Sequence, residues 1–122
     1  MQDPFLKSLN AIVNGHKVTF GITLVVAGGV ITGTLVSANS YIEAFANSFS
    51  EAFPGGPNEN VRAGFAAWGQ PGAEKIHDEF IHLKDARYIS GATLIPTNGE
   101  GVLWRGSLDS VSGFSLGAPN PN

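Results

Sequence analysis

The chain has 122 residues, of which 43% are hydrophobic and only 14% charged, with seven basic and ten acidic side chains giving a net charge of −3. That balance argues against binding by phosphate neutralisation, so nucleic acid is not an expected partner. The absence of cysteine excludes a disulfide framework, a thiolate zinc site and a cysteine nucleophile, and it fits a reducing cytoplasm.

A surface poor in charge suits contact with other protein. No basic region followed by an apolar core and a small-residue cleavage site opens the sequence, so no secretory leader is expected. The length predicts a single domain over 1–122, with a helical insertion at about 38–76 and a flexible tail at 118–122.

Asp3-Pro4 followed by Phe5, Leu6, Leu9, Ile12 and Val13 reads as an N-cap, a proline at the first helical position and an apolar stripe. Asn14-Gly15 is the expected stop. Val18, Phe20, Ile22, Leu24 and Val26 then alternate with small or polar residues, which predicts a strand with one face in the core. Gly28-Gly29 supplies a two-residue hairpin turn, and the return strand runs from Val30 to Ser37 with Ile31 and Leu35 inward. Gly33 in mid-strand marks a sharp bend or a close backbone approach. The apolar run Phe20–Val36 is not expected to span a membrane: it is shorter than the roughly 20 residues required and holds three threonines and four glycines.

Ser40 and Glu43 have capping-box spacing, and Tyr41, Ile42, Phe45, Phe49 and Phe53 follow at helical spacing, predicting a helix from about Asn39 to Phe53 over the sheet. Pro54-Gly55-Gly56-Pro57 ends it. Val61, Phe65 and Trp68 predict a shorter helix interrupted by Gly64, after which residues up to Asp78 read as a mobile linker. Glu79–Ile89 resumes the sheet, with Ile81 and Leu83 on one face and Phe80, His82 and Lys84 on the other. Gly91–Gly99 reads as turn, and Gly101–Ser107 and Ser110–Leu116 as the last two strands.

This order of a helix, a glycine-turned hairpin, an insertion and three more strands resembles Sm-like and SH3-like small barrels. Sm proteins also place a glycine in the second strand and an Arg-Gly late in the chain, as Gly33 and Arg105-Gly106 stand here. The expected fold is therefore α+β: a strongly bent five-stranded antiparallel barrel with an N-terminal helix and a helical insertion between strands two and three.

A more specific likeness runs through Ile22–Val26, Ile31–Ser37, Phe80-Ile81-His82-Leu83-Lys84, Leu103-Trp104-Arg105-Gly106 and Val111–Gly117. In order and internal spacing these blocks resemble the gas vesicle accessory protein U family. The resemblance implies a cytoplasmic, gas-vesicle-associated, non-enzymatic accessory. It would act on the vesicle shell, on other accessory proteins or on itself, as a homo-oligomer, in assembly or clustering. The chain departs from the pattern in Ser50–Ala73, which is alanine- and glycine-rich, and in its short tail, so behaviour that relies on a charged tail is not carried over. The alternative of a different class is an Sm-like oligomeric RNA-binding protein, which would need a cationic face and strongly salt-dependent affinity.

No catalytic, cofactor-binding or metal-binding residue is assigned. His77, Glu79 and His82 have suitable types, but strand geometry puts 77 and 79 on one face and 82 on the other. Gly28–Thr34 imitates a phosphate loop without its lysine, and no Gly-x-Ser-x-Gly elbow occurs. Candidate interaction residues are His82, Lys84, Trp104 and Arg105, with Phe65 and Trp68 on the weakest helix. Trp104 reads equally as core, and Arg105 either snorkels, pairs with Asp109, or shapes a contact rim with Gly106. Phe65 and Trp68 read as core packing or as interaction anchors.

Overall fold

A computed structural model describes residues 2–69 and 77–119. Helix α1 (Pro4–His16) starts at Asp3, whose side chain accepts the Phe5 N–H at 2.9 Å, and ends at Lys17, which turns into the left-handed region at φ 55°. It therefore runs past Asn14-Gly15 by one residue. Its buried row is Leu6, Asn10, Val13 and Asn14, whereas Phe5 and Ile12 are exposed. The two asparagines are inside because they carry hydrogen bonds to other elements: Asn10 Nδ2 donates to the Phe80 carbonyl and Asn14 Oδ1 accepts the Ala38 N–H, each at 2.9 Å.

Strands β1 (Phe20–Val26) and β2 (Gly29–Val36) form the expected hairpin, with Val26 facing Gly29. The turn itself is Ala27-Gly28, one residue earlier than expected, because Gly28 takes the positive φ of 86°. Helix α2 (Ala38–Glu51) begins a turn earlier than the Ser40–Glu43 spacing suggests: Ser37 is the N-cap, and its Oγ accepts the Ser40 N–H at 3.1 Å. Helix α3 (Glu59–Ala66) contains Gly64 without breaking and leads into a 3₁₀ turn at Ala67–Gly69. The expected linker lies outside the described residues over 70–76, and at its end His77 is buried. The last three residues of the expected flexible tail also lie outside them, while Ala118 and Pro119 are exposed.

Strand β3 (Phe80–Ser90) is the long one, and it bends at Asp85, where φ is 52°. Its first half pairs with β5 (Val102–Ser107) and its second half with β4 (Thr93–Ile95). At the bend Thr32 pairs with Arg87 and Thr34 with Lys84, so the single residue Gly33 faces two on β3. A Cβ on Gly33 would lie 3.0 Å from the Ala86 Cα, which is the close approach its position in the sequence suggests.

The expected five-stranded barrel needs correction. Among the described residues the sheet has six antiparallel strands in the order β4-β3-β2-β1-β6, with β5 beside β4 on the β3 edge, and it is not closed. The extra strand is β4, inside what reads as a turn region. Closure fails because β5 pairs with β3 and β6 (Val111–Leu116) with β1, leaving β5 and β6 at opposite ends. A 3₁₀ turn at Leu108–Ser110 carries the chain between them, and its Leu108 side chain fills core space. Ile22, Leu24, Ile31, Leu35, Ile81 and Leu83, all fully buried, form that core with Leu6 and Val13 of α1. The period-two alternation of β3 puts His82 on the opposite face, under α2.

Candidate functional site

Helix α2 buries one row at i, i+4 spacing, Ala38, Ile42, Ala46 and Ser50. The neighbouring row Tyr41, Phe45 and Phe49 is thereby left half-buried to exposed, forming a ridge in which successive rings stack at 6.2 and 6.0 Å. Of the apolar stripe read from the sequence only Ile42 is in the buried row, which meets α1 through Ala38, the 3₁₀ turn through Ile42 and α3 through Ser50, whereas Tyr41 is the residue that lies over β3, on His82.

Ser50 ties α3 to this ridge, since its Oγ donates to the Asn58 carbonyl and accepts the Asn58 N–H, both at 2.9 Å. Asn58 in turn caps α3 through the Val61 N–H at 3.1 Å. Phe65 is thereby set against Phe45 and Phe49, with ring centroids at 5.4 and 5.0 Å.

Two hollows flank the ridge. The larger, of about 920 Å³, lies between α2 and the bend of β3 and is lined by Tyr41, Phe45, Phe49, Lys84, Arg87 and Val102 among others. The smaller, of about 340 Å³, is walled by Tyr41, Phe45, Phe65 and Trp68 and has His77 and Arg105 as its polar members.

These hollows take in most of the candidate interaction residues. Lys84 is half-buried on the larger one, Phe65 is 37% exposed and Trp68 60% exposed at the smaller one. Arg105 is exposed at the residue level, yet its guanidinium is held 4.1 Å over the Phe80 ring, with Nη2 donating to His77 Nδ1 at 3.1 Å. Trp104 is half-buried against the core, and its indole lies across Gly106, where a Cβ would collide with the ring. The Trp-Arg-Gly run is thus explained locally: Trp104 and Gly106 share a strand face, and a spacing of two with glycine second was the available signal.

His82 is fully buried 4.9 Å beneath Tyr41, with both ring nitrogens unpartnered among the described residues. Burial, then the nearby charge of Arg105 and then His77, push its pKa from 6.5 down to about 3. Burial raises the Tyr41 phenol, with Arg105 opposing. The strand-face argument for His77, Glu79 and His82 is overturned: His77 precedes β3, so strand parity does not govern it, and its ring stands 6.3 Å from that of His82. Glu79 turns away to Gln2 and Lys7 of the N-terminal region. Among the described residues no group of three His, Cys, Asp or Glu side chains is placed to hold a metal, and no helix is long and apolar enough to cross a membrane.

The buried imidazole gives a pH prediction. Between about pH 6.5 and 3 the unfolded chain takes up a proton at His82 and the folded chain does not, so stability falls as pH drops through that window and is complete above it. At pH 5 this one group is expected to cost about 2 kcal/mol relative to pH 7.5. Urea unfolding of His82→Leu at the two pH values should lack that increment; an unchanged difference between the two pH values would contradict it.

Residues 3–119 match the family model described as gas vesicle protein GvpU-like. The chain belongs to this family. The family match spans α1 through β6 and so includes the aromatic ridge and both hollows. Neither the curated proteins nor the solved structures returned a match.

Proposed function

We propose that this protein is a non-enzymatic, cytoplasmic gas vesicle accessory that works by binding protein, both vesicle components and further copies of itself, in vesicle assembly or clustering. The family supplies the vesicle context. The observation that carries the contact mode is the exposed aromatic surface made by the ridge and the wall of the smaller hollow: Phe49 on the ridge and Phe65 and Trp68 on that wall present 42%, 37% and 60% of their surface. Large aromatic rings already ordered by their neighbours lose little side-chain entropy on docking and are typical interface anchors.

Self-association has a second support in the open sheet. Among the described strands the outer side of β6 is unpaired, and Leu116 on that strand is 66% exposed. Such an edge offers backbone donors and acceptors to another strand. His82, Lys84 and Arg105 are read as support for the ridge and Trp104, which packs on the core face of β5, as support for the sheet, so their loss is expected to act through the geometry of the surface.

Light scattering coupled to gel filtration tests this. The purified chain is expected to run above its 12.7 kDa monomer mass, and Leu116→Asp on the β6 edge is expected to shift it toward the monomer. A strictly monomeric wild-type protein at about 100 μM, a concentration that would populate even a weak complex, would remove self-association from the account.

A further inference from the structure

We propose that β6 is the seam of a two-fold dimer, in which the β6 edges of two copies pair antiparallel about Ser115 and join their sheets into one. The backbone fixes which groups are free to do so. Val26 and Gly29 close a two-residue turn, so the N–H and C=O groups of Ile22 and Leu24 face β2 and those of Thr23 and Val25 face β6. Gly21 follows the same parity, its carbonyl accepting the Gly117 N–H at 2.7 Å. Thr23 and Val25 stand opposite Ser115 and Gly113. On β6 the N–H and C=O groups of Phe114 and Leu116 therefore point away from β1, to the side where no described strand pairs.

That outward set is self-complementary. With Phe114 opposite Leu116 of the second copy and Ser115 opposite itself, the outward N–H groups of each copy meet the outward C=O groups of the other. A shift by two residues either way forfeits half of these bonds. It carries the pairing into the bulge at Ser112, or past Gly117, where a φ of 103° turns the chain out of the strand. The side chains agree with this register. Phe114 and Leu116 lie opposite Leu24 and Ile22 and so share the core face, where each Phe114 would gain a Leu116 that is 66% exposed in the single chain. Phe5, also exposed, meets the Phe114 ring edge-on at 6.0 Å and extends the apolar patch along the seam.

β6 carries no charge and no proline to repel or block an identical strand. Beyond Gly117 the chain turns back over β1, with the Ala118 nitrogen 3.1 Å from where a Gly21 Cβ would stand, so Ala118 does not cover the edge. The opposite margin of the sheet is protected: β4 has three residues, residues 96–101 separate it from β5, and β5 carries Arg105. Assembly therefore closes at two copies and does not extend into a fibre. This pairing rests on the self-association proposed above and supplies its geometry.

Because the chain has no cysteine, single cysteines report the seam. Opposed Ser115 residues form a non-hydrogen-bonded pair with Cα atoms ~4.5 Å apart, within disulfide reach. Two Ser112 residues lie ~20 Å apart, each three positions from the axis. Full-length Ser115→Cys, Ser112→Cys and Thr93→Cys, the last on the opposite margin, are oxidised with diamide and the covalent dimer is followed on non-reducing gels. Ser115→Cys is expected to cross-link at least about tenfold faster than either control, and adding Leu116→Asp to it is expected to abolish the difference. In the wild type, the Phe114 and Leu116 amides are expected to gain protection from hydrogen exchange as concentration rises, while the Ser115 amide, bonded to β1, is protected throughout. A wild type strictly monomeric at about 100 μM removes self-association as a whole. A self-associating wild type whose Phe114 and Leu116 amides stay unprotected, or in which Ser112→Cys or Thr93→Cys cross-links as fast as Ser115→Cys, overturns the β6 seam alone.

Discussion

Arg87→Met is expected to lower the unfolding free energy by about 3 kcal/mol, seen as a fall of about 10 °C in Tm. Arg87 is buried to 4% exposure, and its guanidinium donates to the carbonyls of Pro96, at 2.7 Å, and Gly99 and to Asp85 Oδ1 at 3.1 Å. The same carboxylate oxygen accepts the Gly101 N–H at 2.6 Å. One side chain thus holds the bend of β3 to the loop that leads from β4 into β5, and the larger hollow is built on that bend. Methionine keeps much of the stem's packing but leaves two carbonyls without their charged donor. Asp85 is the more exposed partner, so Asp85→Ala should cost only about 1 kcal/mol. Because the two share one network, the double change should cost less than the sum of the singles. A loss below about 1 kcal/mol for Arg87→Met would mean that the loop is held by other contacts.

Gly33→Val should be at least as damaging, by about 3 kcal/mol or more. The added Cβ would stand 3.0 Å from the Ala86 Cα and 3.1 Å from the Lys84 carbonyl oxygen, both backbone atoms that no rotamer change can move. The strands would have to separate at the bend, with β2 and β3 losing ladder hydrogen bonds on either side. Gly29 is the control: it lies in the same strand, and a Cβ there meets nothing within 4 Å. Gly29→Ala should remain within about 0.5 kcal/mol of the wild type. Thermal unfolding by circular dichroism reads both, and equal effects at the two positions would contradict the crowding argument.

What could be read from the sequence follows from which signals are local. Alternation placed Ile22 and Leu24 in the core and set Ile81 and Leu83 on the face opposite His82, because a strand's side-chain period is fixed by its backbone. The mid-strand glycine at Gly33 was legible for the same reason. Asn10, Asn14 and Arg87 were not, since polar side chains read as surface until the distant carbonyl or amide that satisfies them is known. Sheet closure was also out of reach: the family's blocks name strands, whereas the pairing of β5 with β3 and β6 with β1 is a long-range property. On α2 the spacing revealed an apolar helix, but two adjacent rows share that spacing. Only packing tells that the row of Ala38, Ile42, Ala46 and Ser50 is buried and the aromatic row forms the ridge. His77 was misplaced because the strand begins three residues after it.

The aromatic ridge, with the Phe65 and Trp68 wall beside it, is proposed as the surface that engages gas vesicles. Its most direct test is the fraction of purified protein that co-fractionates with isolated vesicles, compared among wild type, Trp68→Asp and Phe49→Asp, with Ile12→Asp on exposed α1 as the control. Wild type and Ile12→Asp are expected to associate equally, and each of the two aromatic variants, still folded, to lose at least about tenfold in apparent affinity, as removing an anchor residue does. Equal association of all four proteins, or none by the wild type, would contradict it.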